Sequence, residues 1–148
     1  MLLQTLREIE ELNNKNKEME QHIKKLLEEI KATFNKLYLY EIDVVATREP
    51  FLIRRNNENI REYYVVLIGK SIGVRVITKY YTDDGEKEEE RDLIEIDKVD
   101  FEVLRQMLET NAIQELLLEV KRCFERNARN KQEILEKLKK LHSEIVSD

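Results

Sequence analysis

Apolar residues recur at steps of three and four along both ends of the chain, and at steps of two between them. In residues 2–37 the first seam positions are Leu2, Ile9, Asn16, Ile23, Ile30 and Leu37, and the second are Thr5, Leu12, Met19, Leu26 and Thr33. Residues 113–145 repeat the spacing, with Ile113, Val120, Asn127, Ile134 and Leu141 alternating with Leu117, Phe124, Lys131, Leu138 and Ile145. Neither stretch contains Pro or Gly. Such heptads predict two long helices, each of about five heptads and roughly 50 Å at 1.5 Å per residue.

The arms have matched length and flank a short insert, so the pattern predicts that they return along each other as an antiparallel coiled-coil hairpin. One register sets Ile30 against Val120, Leu26 against Phe124, Leu12 against Leu138 and Ile9 against Leu141. It gathers Asn16, Lys131 and Asn127 into three consecutive layers, where polar groups can satisfy one another. A register one heptad away sets Asn16 directly against Asn127. Parallel pairing between chains is the rival, because a lone Asn in an Ile/Leu seam also fixes parallel dimers. A second stripe of Leu6, Leu27 and Phe34, with Leu116, Cys123, Ala128 and Leu135 on the other arm, is more than a two-helix hairpin covers. It predicts a homo-oligomer, dimer or tetramer, closing a four-helix bundle through Leu6, Leu27, Phe34, Leu116 and Leu135.

Between the arms the period is two. A strand is expected from Tyr38 to about Thr47, and Pro50 stops it or marks a sheet edge. Phe51-Leu52-Ile53 is a short apolar patch. Residues 61–69 and 72–82 form a hairpin around Gly69-Lys70-Ser71, with 67 opposite 74, which puts Tyr63, Val65 and Leu67 with Val74, Val76 and Thr78 on a core face. Gly85 suits the left-handed position of the next turn, pairing Val74 with Ile94 and Lys79 with Glu89. Asp97 is expected to cap a helix near 98–109 that covers the sheet with Phe101, Leu104 and Leu108. Thr110 or Asn111, with Gln114, then marks a bend. The fold class is therefore α+β: arm 1–37, a small domain 38–110 with a four-stranded antiparallel meander and one covering helix, and arm 111–148.

Composition changes this picture in one respect. Charged residues make up 39% of the chain, against about 25% on average, as solvated helix faces require. The net charge of −5 is uneven. Residues 38–82 carry seven Lys/Arg against five Asp/Glu, residues 83–100 three against ten, and residues 1–37 and 101–148 balance at seven against seven and nine against nine. All six tyrosines fall in that single basic segment. On the hairpin face opposite the core stand Tyr64, Val66, Arg75, Ile77, Lys79 and Tyr81, with Arg91 on the next strand and Arg48, Arg54, Arg55 and Lys70 able to extend the track. Aromatic and basic side chains mixed on a sheet suit single-stranded nucleic acid, whose bases stack while its phosphates are neutralised. Ordinary cross-strand packing of strand-loving tyrosines is the plain alternative.

Catalytic chemistry has little to stand on. His22 and His142 lie on the arms outside the seam, as solvated helix residues do. No Cys/His group has zinc spacing, and the Asp83-Asp84-Gly85 turn lacks the alternating ligands of a calcium loop. With three glycines, each near a turn, there is no phosphate-binding loop or nucleophile elbow. No enzyme activity, metal or cofactor is expected. Cys123, the single cysteine, reads as a small apolar filler and fits a reducing cytoplasm. No apolar run reaches membrane-spanning length, and Met1–Leu6 is too short and too soon charged for a signal peptide.

The order helix, hairpins, helix is similar to that of prefoldin chaperone subunits, although this insert is longer and ends in an extra helix. A small sheet-and-helix domain with a helical oligomerisation element is similar to the layout of ThermoDBP-type single-stranded DNA-binding proteins. Both are likenesses of layout without a shared motif. The expected function is a non-enzymatic homo-oligomeric module binding single-stranded nucleic acid. The alternative is a coiled-coil scaffold, adaptor or prefoldin-like chaperone that binds other proteins.

Overall fold

The computed structural model describes residues 1–36, 44–85 and 87–147, without the side chain of Lys87. The chain is α+β. Helix α1 spans Leu2–Asn35, five strands follow (β1 Val44–Ala46, β2 Leu52–Arg55, β3 Asn59–Ile68, β4 Ser71–Tyr81, β5 Lys87–Glu95), and helices α2 (Phe101–Glu109) and α3 (Ala112–Val146) complete it. The part of the expected first strand at 38–43, and Leu37 in the expected seam, lie outside the described residues.

The sheet is antiparallel in the order β1-β3-β4-β5, with β2 also on β3. Five strands replace the expected four because β3 is ten residues long and holds two short partners on one edge. Val44 to Ala46 pair with Ile68 to Val66, and Leu52 to Arg55 with Tyr63 to Ile60. Between them the Thr47 and Phe51 amides donate to the Val65 and Tyr63 carbonyls at 3.1 and 2.9 Å. Residues 48–50 therefore bulge out of an otherwise continuous edge. Pro50, having no N–H to contribute, sits in that interruption.

The β3–β4 hairpin turns on two residues. Leu67 pairs with Ile72, Val65 with Val74 and Tyr63 with Val76. Gly69 takes φ +60 while Lys70 stays at negative φ, the pattern of a type II′ turn. The pairing is thus two residues tighter than the expected 67–74. Because side chains alternate with period two, the core face is unchanged. Gly85 takes φ +76, and Val74–Ile94 and Lys79–Glu89 pair as expected.

All three helices lie on one face of the sheet. Tyr63, Val65, Leu67, Ile72, Val74 and Val76 meet Leu27 and Phe34 of α1, Val103, Leu104 and Met107 of α2, and Ala112, Leu116 and Val120 of α3 in one buried cluster. A 3-10 turn at Ile96–Lys98 adds Ile96. The cap of α2 is Asp100 rather than Asp97: its carboxylate accepts from the Val103 amide at 2.8 Å, satisfying one of the unpaired first-turn donors. Its buried stripe is Val103, Leu104 and Met107, and of the expected Phe101, Leu104 and Leu108 only Leu104 belongs to it. Phe101 instead borders a recess beside Ile23 and Leu27 of α1, and Leu108 faces solvent. The bend before α3 is a single residue, Asn111, in the left-handed conformation at φ 57 without a side-chain cap bond.

The hairpin of the arms is not formed within the chain. Helix α1 is seated on β4 and the 3-10 turn, α3 on β1, β3 and α2, and the two are not packed along one another. Ile9, Leu12, Leu138 and Leu141, expected to face each other, are 51–59% exposed. The stripe expected to join separate chains is divided too. Leu27, Phe34 and Leu116 are 8, 5 and 0% exposed, sealed into their own core, whereas Leu6 and Leu135 remain open. The physical reason is that the sheet needs an apolar cover on one face and takes the nearest stripe each arm offers. No helix among the described residues is long and apolar enough to cross a membrane.

Candidate ligand face of the sheet

The three helices all pack on one face of the sheet and leave the other mainly to polar and aromatic side chains. Strand alternation places Tyr64, Arg75, Ile77, Lys79 and Tyr81 there, with Arg55 on β2 and Arg91 and Leu93 on β5. Tyr81 and Leu93 are each 53% exposed, Val44 and Ile53 nearly as much. Arg75 stands across from Tyr64 on one side and Leu93 on the other, and Ile77 across from Arg91. Val66, expected on this face, lies on it but is fully buried.

Glu62 organises the centre. It accepts from Lys79 Nζ and from the Tyr64 hydroxyl, both at 2.6 Å. Those two hydrogen bonds hold its carboxyl below the usual carboxylate range, with the nearby Arg55 guanidinium adding to the effect. Burial, reinforced by the bond to Glu62, pushes the Tyr64 phenol up to about 12. The same carboxylate raises Lys79. Two of the residues expected to meet a ligand are therefore held by a third that was not singled out. Glu62 was legible as the cross-strand partner of Lys79, but not as the acceptor for Tyr64.

The sign of the Glu62 shift gives a stability prediction. A carboxyl whose folded pKa is depressed stabilises the fold above its unfolded pKa of about 4.3, and that contribution is lost as pH falls through the lower folded value. Between roughly pH 5 and pH 3 the Glu62→Gln protein should therefore lose less stability than the parent. Urea midpoints across this interval measure it, and parallel curves would remove Glu62 from the balance.

Arg48 and Arg54 do not join the track. Arg48 leaves the edge bulge toward α3 and pairs with Glu119 at 3.0 Å. Arg54 lies on the helix side of the sheet, donates to the Tyr63 hydroxyl at 3.2 Å, stacks 5.2 Å from its ring centroid and reaches Asp100 at 3.5 Å. There it borders a recess of about 420 Å³ with Arg61, Tyr80, Glu90 and Asp92, beyond the end of the covering helix. That recess was not anticipated. Its signal was alternation, since Arg61 and Tyr80 share the parity of the core residues on β3 and β4. Its charges nearly cancel, and Arg54 is already engaged.

Among the described residues no three His, Cys, Asp or Glu side chains are grouped to hold a metal ion. His22 and His142 are exposed on the arms, and Cys123 is partly buried against the core. No family model, curated protein or solved structure matches the chain, so this face of the sheet and the arms must be judged on their own chemistry.

Proposed function

We propose that the chain is a non-enzymatic binding module that takes single-stranded nucleic acid on the face of its sheet away from the helices. The observation that carries this reading is the set of side chains on that face, where Tyr81 and Tyr64 stand among Arg55, Arg75, Lys79 and Arg91. Rings on a flat sheet offer stacking surfaces for unpaired bases, and guanidinium groups on neighbouring strands meet phosphates. The acidic partners Glu62 and Glu89 temper the positive charge, the latter 3.7 Å from Arg91, so binding of moderate strength is expected.

Fluorescence anisotropy of a labelled single-stranded oligonucleotide tests it. Micromolar or tighter binding is expected at 50 mM salt. With three or four phosphates neutralised, affinity should fall roughly 20- to 50-fold at 200 mM. Arg75→Ala with Arg91→Ala should weaken binding about tenfold or more, and Glu62→Gln, which releases Lys79 and Tyr64, should strengthen it. Absence of binding at 50 mM, or full affinity in the double variant, sinks the assignment.

A second reading has its own support. Val44, Ile53 and Leu93 are about half exposed on the same face, which also suits docking of another protein, as a scaffold or chaperone would require. Such an interface would be little changed by salt.

A further inference from the structure

The two apolar stripes on each arm have different destinations, and one of them is left open over most of its length. One stripe, through Leu27, Phe34 and Leu116, is consumed by the sheet of the same chain. The heptad seam is filled only where it nears the sheet, at Val120, with Ile23, Ile30 and Ile113 partly packed there; its outer part is not. Eleven of its side chains, from Leu2 to Leu26 and from Leu117 to Ile145, are 39–83% exposed. At about 25 cal/mol per Å², fully burying a Leu or Ile side chain removes roughly 60–120 Å² from water, so these side chains, about half exposed, offer on the order of 500 Å² per copy. A stable dimer takes about 800 Å² from each partner, and the side chains flanking the seam on two long helices make up the difference.

We infer that the occupant of this seam is a second copy of the chain, with α1 of each copy lying antiparallel against α3 of the other. The polar positions and the charges beside the seam select the register. When Asn16 faces Asn127 of the second copy, Leu2 falls against Leu141, Ile9 against Ile134, Met19 against Phe124 and Leu26 against Leu117, while Leu12 meets Lys131 and the Val120 layer stays with its own core. The two amides then satisfy each other, and the flanking positions bring Glu8 to Lys137, Glu20 to Lys121 and the two still-open stripe residues, Leu6 and Leu135, together. The register one heptad away instead sets Glu8 beside Glu144 and Lys15 beside Lys137, two like-charge contacts. A single buried Asn pair is the usual device for fixing register and pairing at a cost in stability. The exchange is reciprocal, so a two-fold dimer closes both seams of both copies.

The proposal is independent of any ligand on the sheet. Light scattering of the intact protein should give twice the 17.8 kDa of one chain at micromolar concentration, and Ile9→Glu should return it to one. Orientation is read by cross-linking in a Cys123→Ala background. An Asn16→Cys protein mixed with an Asn127→Cys protein should form a disulfide-linked pair on oxidation, and each alone should not. A native mass of one chain overturns the dimer. Self-linking of the Asn16→Cys protein overturns the α1-to-α3 pairing, and so does failure of the mixture to link while the native mass is doubled.

Discussion

Phe34→Ala is expected to cost about 3–5 kcal/mol of folding stability, a large part of the total for a domain of this size. Phe34 is 5% exposed at the C-terminal end of α1, seven residues after Leu27, and both close over the sheet. Truncating a buried ring forfeits its transfer energy and leaves a cavity that rigid strands cannot collapse to fill. Leu12→Ala makes the control: Leu12 is 59% exposed on the free part of the same helix and should change the stability of the single chain by about 0.5 kcal/mol or less. Urea unfolding followed by circular dichroism, at protein concentrations low enough to dissociate any assembly, separates the two. A loss below about 1 kcal/mol at Phe34 would mean that α1 is not seated on β4, and the division of labour between the stripes would go with it.

Gly73→Ala should destabilise by about 1–3 kcal/mol, at the upper end of what overpacking does. Gly73 is buried near the start of β4, at the end of its ladder with β5, and needs no unusual dihedral; what it lacks is a side chain. A Cβ built there comes within 2.7 Å of the Ile94 carbonyl oxygen and 3.3 Å of Leu93 Cδ1. The leucine can rotate away, but the carbonyl belongs to the β4–β5 ladder and can move only if the strands separate. The expected signature is local as well as global, with the amides of β5 exchanging faster with solvent than those of β3. Unchanged stability together with unchanged exchange would show that the ladder yields more easily than its geometry implies.

How much of this was legible depends on what each signal encodes. Gly85 pins its turn, so the Val74–Ile94 and Lys79–Glu89 pairs followed from one glycine and the alternation around it. Gly69 marked its turn without marking the loop length, and the hairpin came out two residues tighter with its core face intact. Arg54 and Arg55 are adjacent in a strand and must point to opposite faces, so both could never have joined one basic track. Heptad spacing shows that an arm has apolar stripes and says nothing about which one meets the sheet. That choice rests on the geometry of the domain, where Leu27, Phe34 and Leu116 sit over strands that sequence spacing cannot place. The left-handed Asn111 was readable as a joint because Asn tolerates that conformation better than most residues, although not as the means of aiming α3.

Strand β5 has a consequence of its own. It is nine residues long and, among the described residues, borders the sheet with no neighbour on its outer side. Unpaired backbone on a long edge is a template for further strands, and it is how folded proteins begin to polymerise into fibres. Here that edge reads Glu88-Glu89-Glu90 with Asp92 two places on. Laid antiparallel against the same strand of another molecule, it would place carboxylate against carboxylate on both faces. The acidity that gives the whole protein its negative charge is thus concentrated where it keeps the sheet finite.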